Sequence, residues 1–97
     1  MKLFFTVQVS GESMWPDLVP GKHYLASSFF RPRLGHYLIF KNPKRPKELL
    51  VKKVVKIYPT YYEVAGTIPW APSTDEIGPI PKRYVLGKIV LPRLFNW

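Results

Sequence analysis

The chain has 97 residues, a length that suits one domain spanning residues 1–97 and leaves no room for two full hydrophobic cores. It contains no cysteine, which excludes disulfides, a thiol nucleophile and a cysteine-ligated zinc site, and with two histidines we expect no metal site. The apolar content of 46% argues against a disordered chain, despite the formal charge of +9.

Short strands separated by turns are the predicted elements. Eleven prolines and six glycines interrupt the chain too often for long helices. Alternating or β-branched apolar runs predict strands over residues 3–9, 22–26, 36–41, 48–58, 61–65 and 84–90. This pattern indicates an all-β fold, either a small barrel or a folded sheet.

The sequence also bears on where the protein acts. No run approaches the roughly 18 apolar residues that cross a membrane. Residues 1–10 lack the length and the small-residue cleavage site of a signal peptide. We therefore expect no transmembrane segment or signal peptide, and a location in the cytoplasm or at the periphery of a membrane.

Ser13 is the first candidate for chemistry. It lies between Gly11 and Pro16, in a turn that follows the first predicted strand. A turn of this kind can present a hydroxyl and aim backbone N–H groups at one point. Most serines between glycine and proline are nevertheless ordinary turn residues.

A serine nucleophile needs a base, and the chain offers histidines and lysines. His23 and His36 both lie in strand-like segments, where histidines are more often partly exposed strand residues. Lys52 and Lys53 lie inside an apolar run, where lost hydration and an adjacent cation would lower a lysine pKa toward that of a base. The alternative is an edge strand whose lysines protect against aggregation.

A third polar group follows near residue 74. The hydroxyl of Ser73 can hydrogen-bond a lysine amine and orient its lone pair, and Asp75 can hold the loop. The alternative is a local turn closed by these side chains, which is the commoner use of Ser-Thr-Asp.

Taken in this order, these elements resemble the type I signal peptidase family, whose members use a Ser/Lys dyad. In size the chain is also similar to short, anchor-free relatives, the maturation proteases of nickel superoxide dismutase. The matching segments are VSGESMWP at 9–16, VKKV at 51–54, Gly66, STD at 73–75, GPIP at 78–81 and GKIV at 87–90.

This resemblance implies a role for each matched residue. Ser13 would be the nucleophile, with its backbone N–H in the oxyanion hole, and Lys52 would be the general base. Ser73 would orient the Lys52 amine, Asp75 would brace the loop and Met14 would line the substrate cleft. The resemblance also implies a mostly-β core, no cofactor, and a substrate peptide that is bound as an extended strand with small side chains before the cut.

The sequence departs from the family pattern at several points. Gly66-Thr67-Ile68 stands where the family has Gly-Asp-Asn, and no arginine follows Asp75 to pair with it. The alternation of residues in the predicted strand over 48–58 also conflicts with the family register. A period of two groups Lys53 with apolar neighbours and predicts it as the more buried lysine, whereas the family register selects Lys52. We follow the family register.

The resulting prediction is a serine endopeptidase that removes an N-terminal leader or propeptide from a protein precursor. Two substrate classes stay open. Secreted preproteins would require contact with an anionic membrane, through basic residues and aromatic residues such as Phe95 and Trp97, and soluble precursors would not.

The alternative function is a non-catalytic basic β-barrel module that binds nucleic acid or an acidic protein, suggested by the positive charge interleaved with tyrosines. A self-cleaving relative of LexA-type repressors is a minor option, because the chain has no room for their DNA-binding domain. Nucleic acid is not an expected partner of the peptidase.

Overall fold

The computed structural model describes residues 4–11, 13–68 and 77–91. Seven strands and one 3-10 turn, Lys82–Tyr84, follow each other along the chain. The strands are β1 (Phe4–Gln8), β2 (His23–Ser27), β3 (Tyr37–Asn42), β4 (Arg45–Ile57), β5 (Tyr61–Ala65), β6 (Ile80–Pro81) and β7 (Val85–Leu91).

All seven strands belong to one antiparallel sheet, in the order β1-β2-β7-β3-β4-β5-β6. The prediction of an all-β fold is confirmed. The barrel alternative is wrong for the described residues, because β1 and β6 are the two ends of the sheet and do not pair with each other. The folded-sheet alternative describes the architecture.

Strand β4 differs most from its predicted bounds. It begins at Arg45 rather than at residue 48, because the turn after β3 is tight. The backbone N–H of Lys44 donates to Oδ1 of Asn42 over 3.0 Å, so the chain reverses within a few residues and pairs at once. The short strand β6 was not predicted, since two residues are too few to show a periodic pattern.

The hydrophobic core consists of two clusters that meet at β3. Ile39 packs into one cluster, while Leu38 and Phe40 pack into the other, so both faces of this central strand are covered. The first cluster comprises Val9, Met14, Leu18, Tyr24, Ala26, Ile39 and Ile89, and the second comprises Leu38, Phe40, Val54, Tyr62, Val64 and Ile80.

The second cluster determines which face of β4 is buried. Val54 belongs to it and Leu50 packs against it, and alternation along the strand places the side chain of Lys52 on the same face. A lysine is therefore carried on the apolar face of the strand. Within the described residues, no helix has the length and apolar character needed to cross a membrane.

Candidate active site

The turn that carries Ser13 is fixed by its own apolar residues. Met14 and Leu18 are 2% and 0% exposed, and the backbone N–H of Leu18 donates to the carbonyl of Met14 over 2.8 Å. Gly21 donates its N–H to the carbonyl of Val9 over 2.8 Å, which closes the base of the turn. Because these anchors are buried, half-buried Ser13 is held in a defined position beside Met14.

Lys52 meets Ser13 across 39 residues of sequence. Its Nζ lies 2.5 Å from Oγ of Ser13, a short hydrogen bond between the two side chains. Lys52 is only 6% exposed, and it is one of two buried polar residues in the described part of the chain, the other being Ser27. The structure thus brings together the two residues that the sequence selected as nucleophile and base; their catalytic roles stay a prediction.

Burial also changes the chemistry of the lysine. Removal of the amine from water lowers the pKa of Lys52 from its ordinary value, because the charged form loses more hydration than the neutral form. The carboxylate of Glu48 acts in the opposite direction and raises it, but this is the smaller cause. The net lowering favours a neutral amine, which is the form that can accept a proton from a serine hydroxyl.

Lys53, the neighbouring lysine, lies in a different environment. Its side chain is 39% exposed, and its Nζ forms an ion pair with Oδ2 of Asp17 at 3.5 Å. The hydroxyl of Tyr37 donates to the same Asp17 oxygen over 2.8 Å. The prediction from alternation, that Lys53 is the more buried lysine, is wrong. Alternation had grouped Lys53 with Val55 and Ile57, but both are exposed. The pairing with β5 also shifts register between Val54 and Lys56, so the period of two does not continue through this part of β4.

Thr67, in the segment after β5, holds the turn that carries Ser13. Its backbone N–H donates to the carbonyl oxygen of Ser13 over 2.8 Å, and its hydroxyl donates to the carbonyl oxygen of Trp15 over 2.8 Å. The sequence had shown Thr67 only as a departure from Gly-Asp-Asn. Its partners are backbone carbonyls, which carry no sequence signal, so the contact was not predictable from residue types.

A small cleft opens beside Ser13 and Lys52. It has a volume of about 110 Å³ and is lined by Gln8, Val9, Ser10, Ser13, Met14, Leu49, Leu50, Val51 and Lys52. Met14 thus lines this cleft, and its role in binding substrate stays a prediction.

Two strand edges border this cleft. Strand β1 pairs with β2 on one side only. Residues Leu49 to Lys52 of β4 pair with β3, whereas the pairing with β5 begins at Lys53. In the described part of the chain, both edges therefore keep backbone donors and acceptors without a strand partner beside the cleft.

The structure does not describe every predicted site residue. Ser73 and Asp75 lie outside the described residues, as do Phe95 and Trp97. His23 is exposed on β2. Among the residues that the structure describes, no group of three or more His, Cys, Asp or Glu side chains could hold a metal ion.

His36, the other histidine considered as a base, contacts a different set of groups. Its Nδ1 accepts the backbone N–H of Arg33 over 3.0 Å and lies 3.0 Å from Nζ of Lys88. Burial, and then the charges of Lys88 and Arg33, lower the pKa of His36 and favour the neutral ring.

Comparisons of the chain with models of protein families, with curated proteins and with solved structures found no match. The functional argument therefore depends on the residues and on their arrangement.

Proposed function

We propose that this protein is a serine endopeptidase with a Ser/Lys dyad, which cleaves an N-terminal leader or propeptide from a protein precursor. One observation carries the proposal: the amine of buried Lys52 lies 2.5 Å from the hydroxyl oxygen of Ser13. Burial of a cation is costly, so a buried lysine without a carboxylate partner often has a functional role. The contact with the Ser13 hydroxyl supports a role as a general base.

In the proposed reaction, neutral Lys52 takes the proton from Oγ of Ser13 as this oxygen attacks the scissile carbonyl carbon. A tetrahedral oxyanion forms, and the backbone N–H of Ser13 is one donor to it. The ammonium of Lys52 then gives its proton to the leaving amine as the C–N bond breaks, which leaves an ester on Ser13. Water attacks this ester with Lys52 again as base. The ammonium of Lys52 then returns the proton to Oγ of Ser13 as the acyl C–O bond breaks, which releases the carboxylic acid and restores the serine.

The two bordering strand edges support a peptide substrate. An extended peptide between β1 and residues Leu49 to Lys52 of β4 would satisfy the backbone groups on both edges, as in strand addition. It would pass Ser13 at the cleft. The volume of about 110 Å³ suits a small side chain next to the scissile bond rather than an aromatic one.

Acylation by a serine-directed probe tests the proposal directly. The purified parent protein, Ser13→Ala, Lys52→Ala and Lys53→Ala would be incubated with a β-lactone, which acylates serine as its ring opens, and read by intact mass. We expect one adduct on the parent and on Lys53→Ala, and none on Ser13→Ala or Lys52→Ala. Lys53→Ala is the matched control, since it removes the adjacent lysine of the same strand while leaving the dyad in place.

Two results would count against this assignment. Loss of the adduct in Lys53→Ala but not in Lys52→Ala would make Lys53 the base and overturn the dyad. Absence of any adduct between neutral and alkaline pH, with folded protein and an active control protease, would favour the non-catalytic basic module. That module would bind an oligonucleotide or an acidic protein equally well in Ser13→Ala.

A further inference from the structure

The loop between β2 and β3 exposes an unusual amount of apolar surface. Phe29, Phe30 and Leu34 are 66%, 46% and 63% exposed, and Phe4 at the start of β1 adjoins them with 51% exposure. Phe30 contacts the other two rings edge-on, with centroids 5.2 Å from Phe29 and 6.5 Å from Phe4. We call these four residues the aromatic surface; the three rings form a cluster, and Leu34 lies four residues beyond Phe30 in the same loop.

Positively charged side chains lie beside this surface. Arg31 and Arg33 are exposed in the same loop, and Nζ of Lys88 lies 5.8 Å from the centroid of the Phe30 ring. No aspartate or glutamate occurs between residues 27 and 36, so no carboxylate of the loop neutralises them. The surface is therefore both apolar and positively charged.

A groove runs into the same surface. It has a volume of about 390 Å³ and is lined by Phe4, Leu25, Phe30, Lys88 and Val90. Four of these five residues are apolar, and the fifth supplies a cation. An apolar trough with one amine matches the two ends of an anionic lipid, an acyl chain and a charged headgroup.

We propose that the aromatic surface, with Arg31, Arg33 and Lys88, docks the protein on an anionic lipid bilayer. Charge complementarity supports a bilayer as the occupant: exposed aromatic side chains enter the interface while arginines contact the headgroups. A base-stacking platform for single-stranded nucleic acid fits less well, because Phe29 and Phe30 meet at 86° and do not offer parallel ring faces. The proposal does not depend on catalysis by Ser13.

Vesicle flotation provides the test. The full chain would be mixed with vesicles of phosphatidylcholine alone or with added phosphatidylglycerol, and bound protein measured after centrifugation. We expect binding to the anionic vesicles that weakens with salt. Arg31→Gln with Arg33→Gln should lower the partition coefficient about 30-fold, roughly fivefold for each arginine. Phe29→Ser with Phe30→Ser should lower it tenfold or more.

Matched controls come from strand β4. Val55→Ser with Ile57→Ser removes two apolar side chains that are each 43% exposed, and Arg45→Gln with Lys47→Gln removes two exposed cations. The apolar control should bind as the parent does, and the charge control should lose far less than the loop arginine pair. Circular dichroism would establish that every variant is folded.

A spectroscopic measurement separates insertion from loose attraction. The chain has no cysteine, so Leu34→Cys can be labelled at one site with an environment-sensitive dye, and Leu49→Cys serves as the control. We expect a blue shift on anionic vesicles for the label at 34 and little change for the label at 49. Three results would overturn the proposal: no binding by the parent, unchanged binding of both loop variants, or loop-dependent binding of an oligonucleotide without binding of vesicles. Acylation of Ser13 without vesicles should be the same in the parent and in both loop variants, so failure of this proposal can be told apart from failure of the proposed function.

Discussion

The backbone N–H of Thr67 donates to the carbonyl oxygen of Ser13 over 2.8 Å, so the segment after β5 fixes the residue that contacts Lys52. The Thr67 hydroxyl makes a second bond, to the carbonyl of Trp15. The two bonds hold the turn on both sides of Met14. Thr67 thus acts as a positioning residue, because it controls where the hydroxyl of Ser13 lies relative to the amine.

Thr67→Val tests this positioning role. The variant keeps the backbone bond and the side-chain shape but loses the hydroxyl, leaving the carbonyl of Trp15 without that donor. We expect the free energy of unfolding to fall by about 1 kcal/mol, as for one hydrogen bond, and acylation of Ser13 to slow by tenfold or more. Thr67→Ser retains the hydroxyl and should recover the acylation rate. If Thr67→Val loses this stability but acylates Ser13 at the parental rate, Thr67 has only a structural role.

The contacts of Asp17 predict a difference between two couplings. Tyr37 donates to Asp17 over 2.8 Å, whereas Lys53 is 3.5 Å away and partly exposed. In double-mutant cycles with Asp17→Ala, we expect Tyr37→Phe to couple by about 1 kcal/mol and Lys53→Met by about 0.5 kcal/mol or less. Chemical denaturation would supply the free energies. If Asp17 couples more strongly to Lys53 than to Tyr37, the ion pair, rather than the hydrogen bond from the tyrosine, holds the turn of Asp17 against the neighbouring strands.

Substitution of Glu48 can shift the pKa of Lys52, the proposed base, without changing the lysine itself. Its carboxylate raises the pKa of Lys52 against the larger lowering caused by burial. The acylation rate should rise with pH as the amine loses its proton and then level off. Glu48→Gln removes the negative charge, lowers the pKa of Lys52 further and should move this profile to lower pH, with a faster rate at neutral pH. Glu63→Gln, on β5, is the control and should keep the parental profile. A Glu48→Gln profile that moves to higher pH would contradict the assignment of Lys52 as the base.

The burial of Lys52 also predicts a cost in stability. Its pKa is lowered in the folded state, so between the folded and unfolded pKa values the unfolded chain binds more protons, and stability rises with pH until Lys52 is neutral in both states. Lys52→Met removes the charge at similar volume. We expect it to be more stable than the parent at neutral pH by about 1 kcal/mol while losing acylation. If Lys52→Met fails to acylate and is also clearly less stable than the parent, Lys52 has a structural role.

The contact between Ser13 and Lys52 was predicted from the resemblance to the signal peptidase family, because the order of the matched segments selects Lys52. The residue types of each segment taken alone left ordinary turn and edge-strand alternatives open. Alternation alone selected Lys53, since it counts apolar neighbours and cannot detect that Val55 and Ile57 are exposed or that the pairing of β4 with β5 shifts register between Val54 and Lys56. The burial of both faces of β3, which is a tertiary property, was equally invisible to it.

The supporting contacts could not be predicted for a related reason. Thr67 acts on backbone carbonyls, and Asp17 meets Tyr37 across 20 residues of sequence. Neither contact has a local pattern. The aromatic surface, by contrast, is visible in the sequence as two phenylalanines followed by two arginines, but its exposure depends on how the loop leaves β2.

Gly87 sets how closely β7 approaches β2, and it yields the last prediction. A Cβ at this position would lie 2.5 Å from the carbonyl oxygen of Ser27 and 2.8 Å from its carbonyl carbon, both backbone atoms that cannot move aside alone. Gly87→Ala should therefore push the two strands apart and lower the free energy of unfolding by about 2 kcal/mol. Gly35→Asn is the control, because Gly35 has open space around it and a φ of 82° that asparagine tolerates. Thermal and chemical unfolding would measure both, and a Gly87→Ala protein as stable as the parent would show that β2 and β7 are not packed this closely.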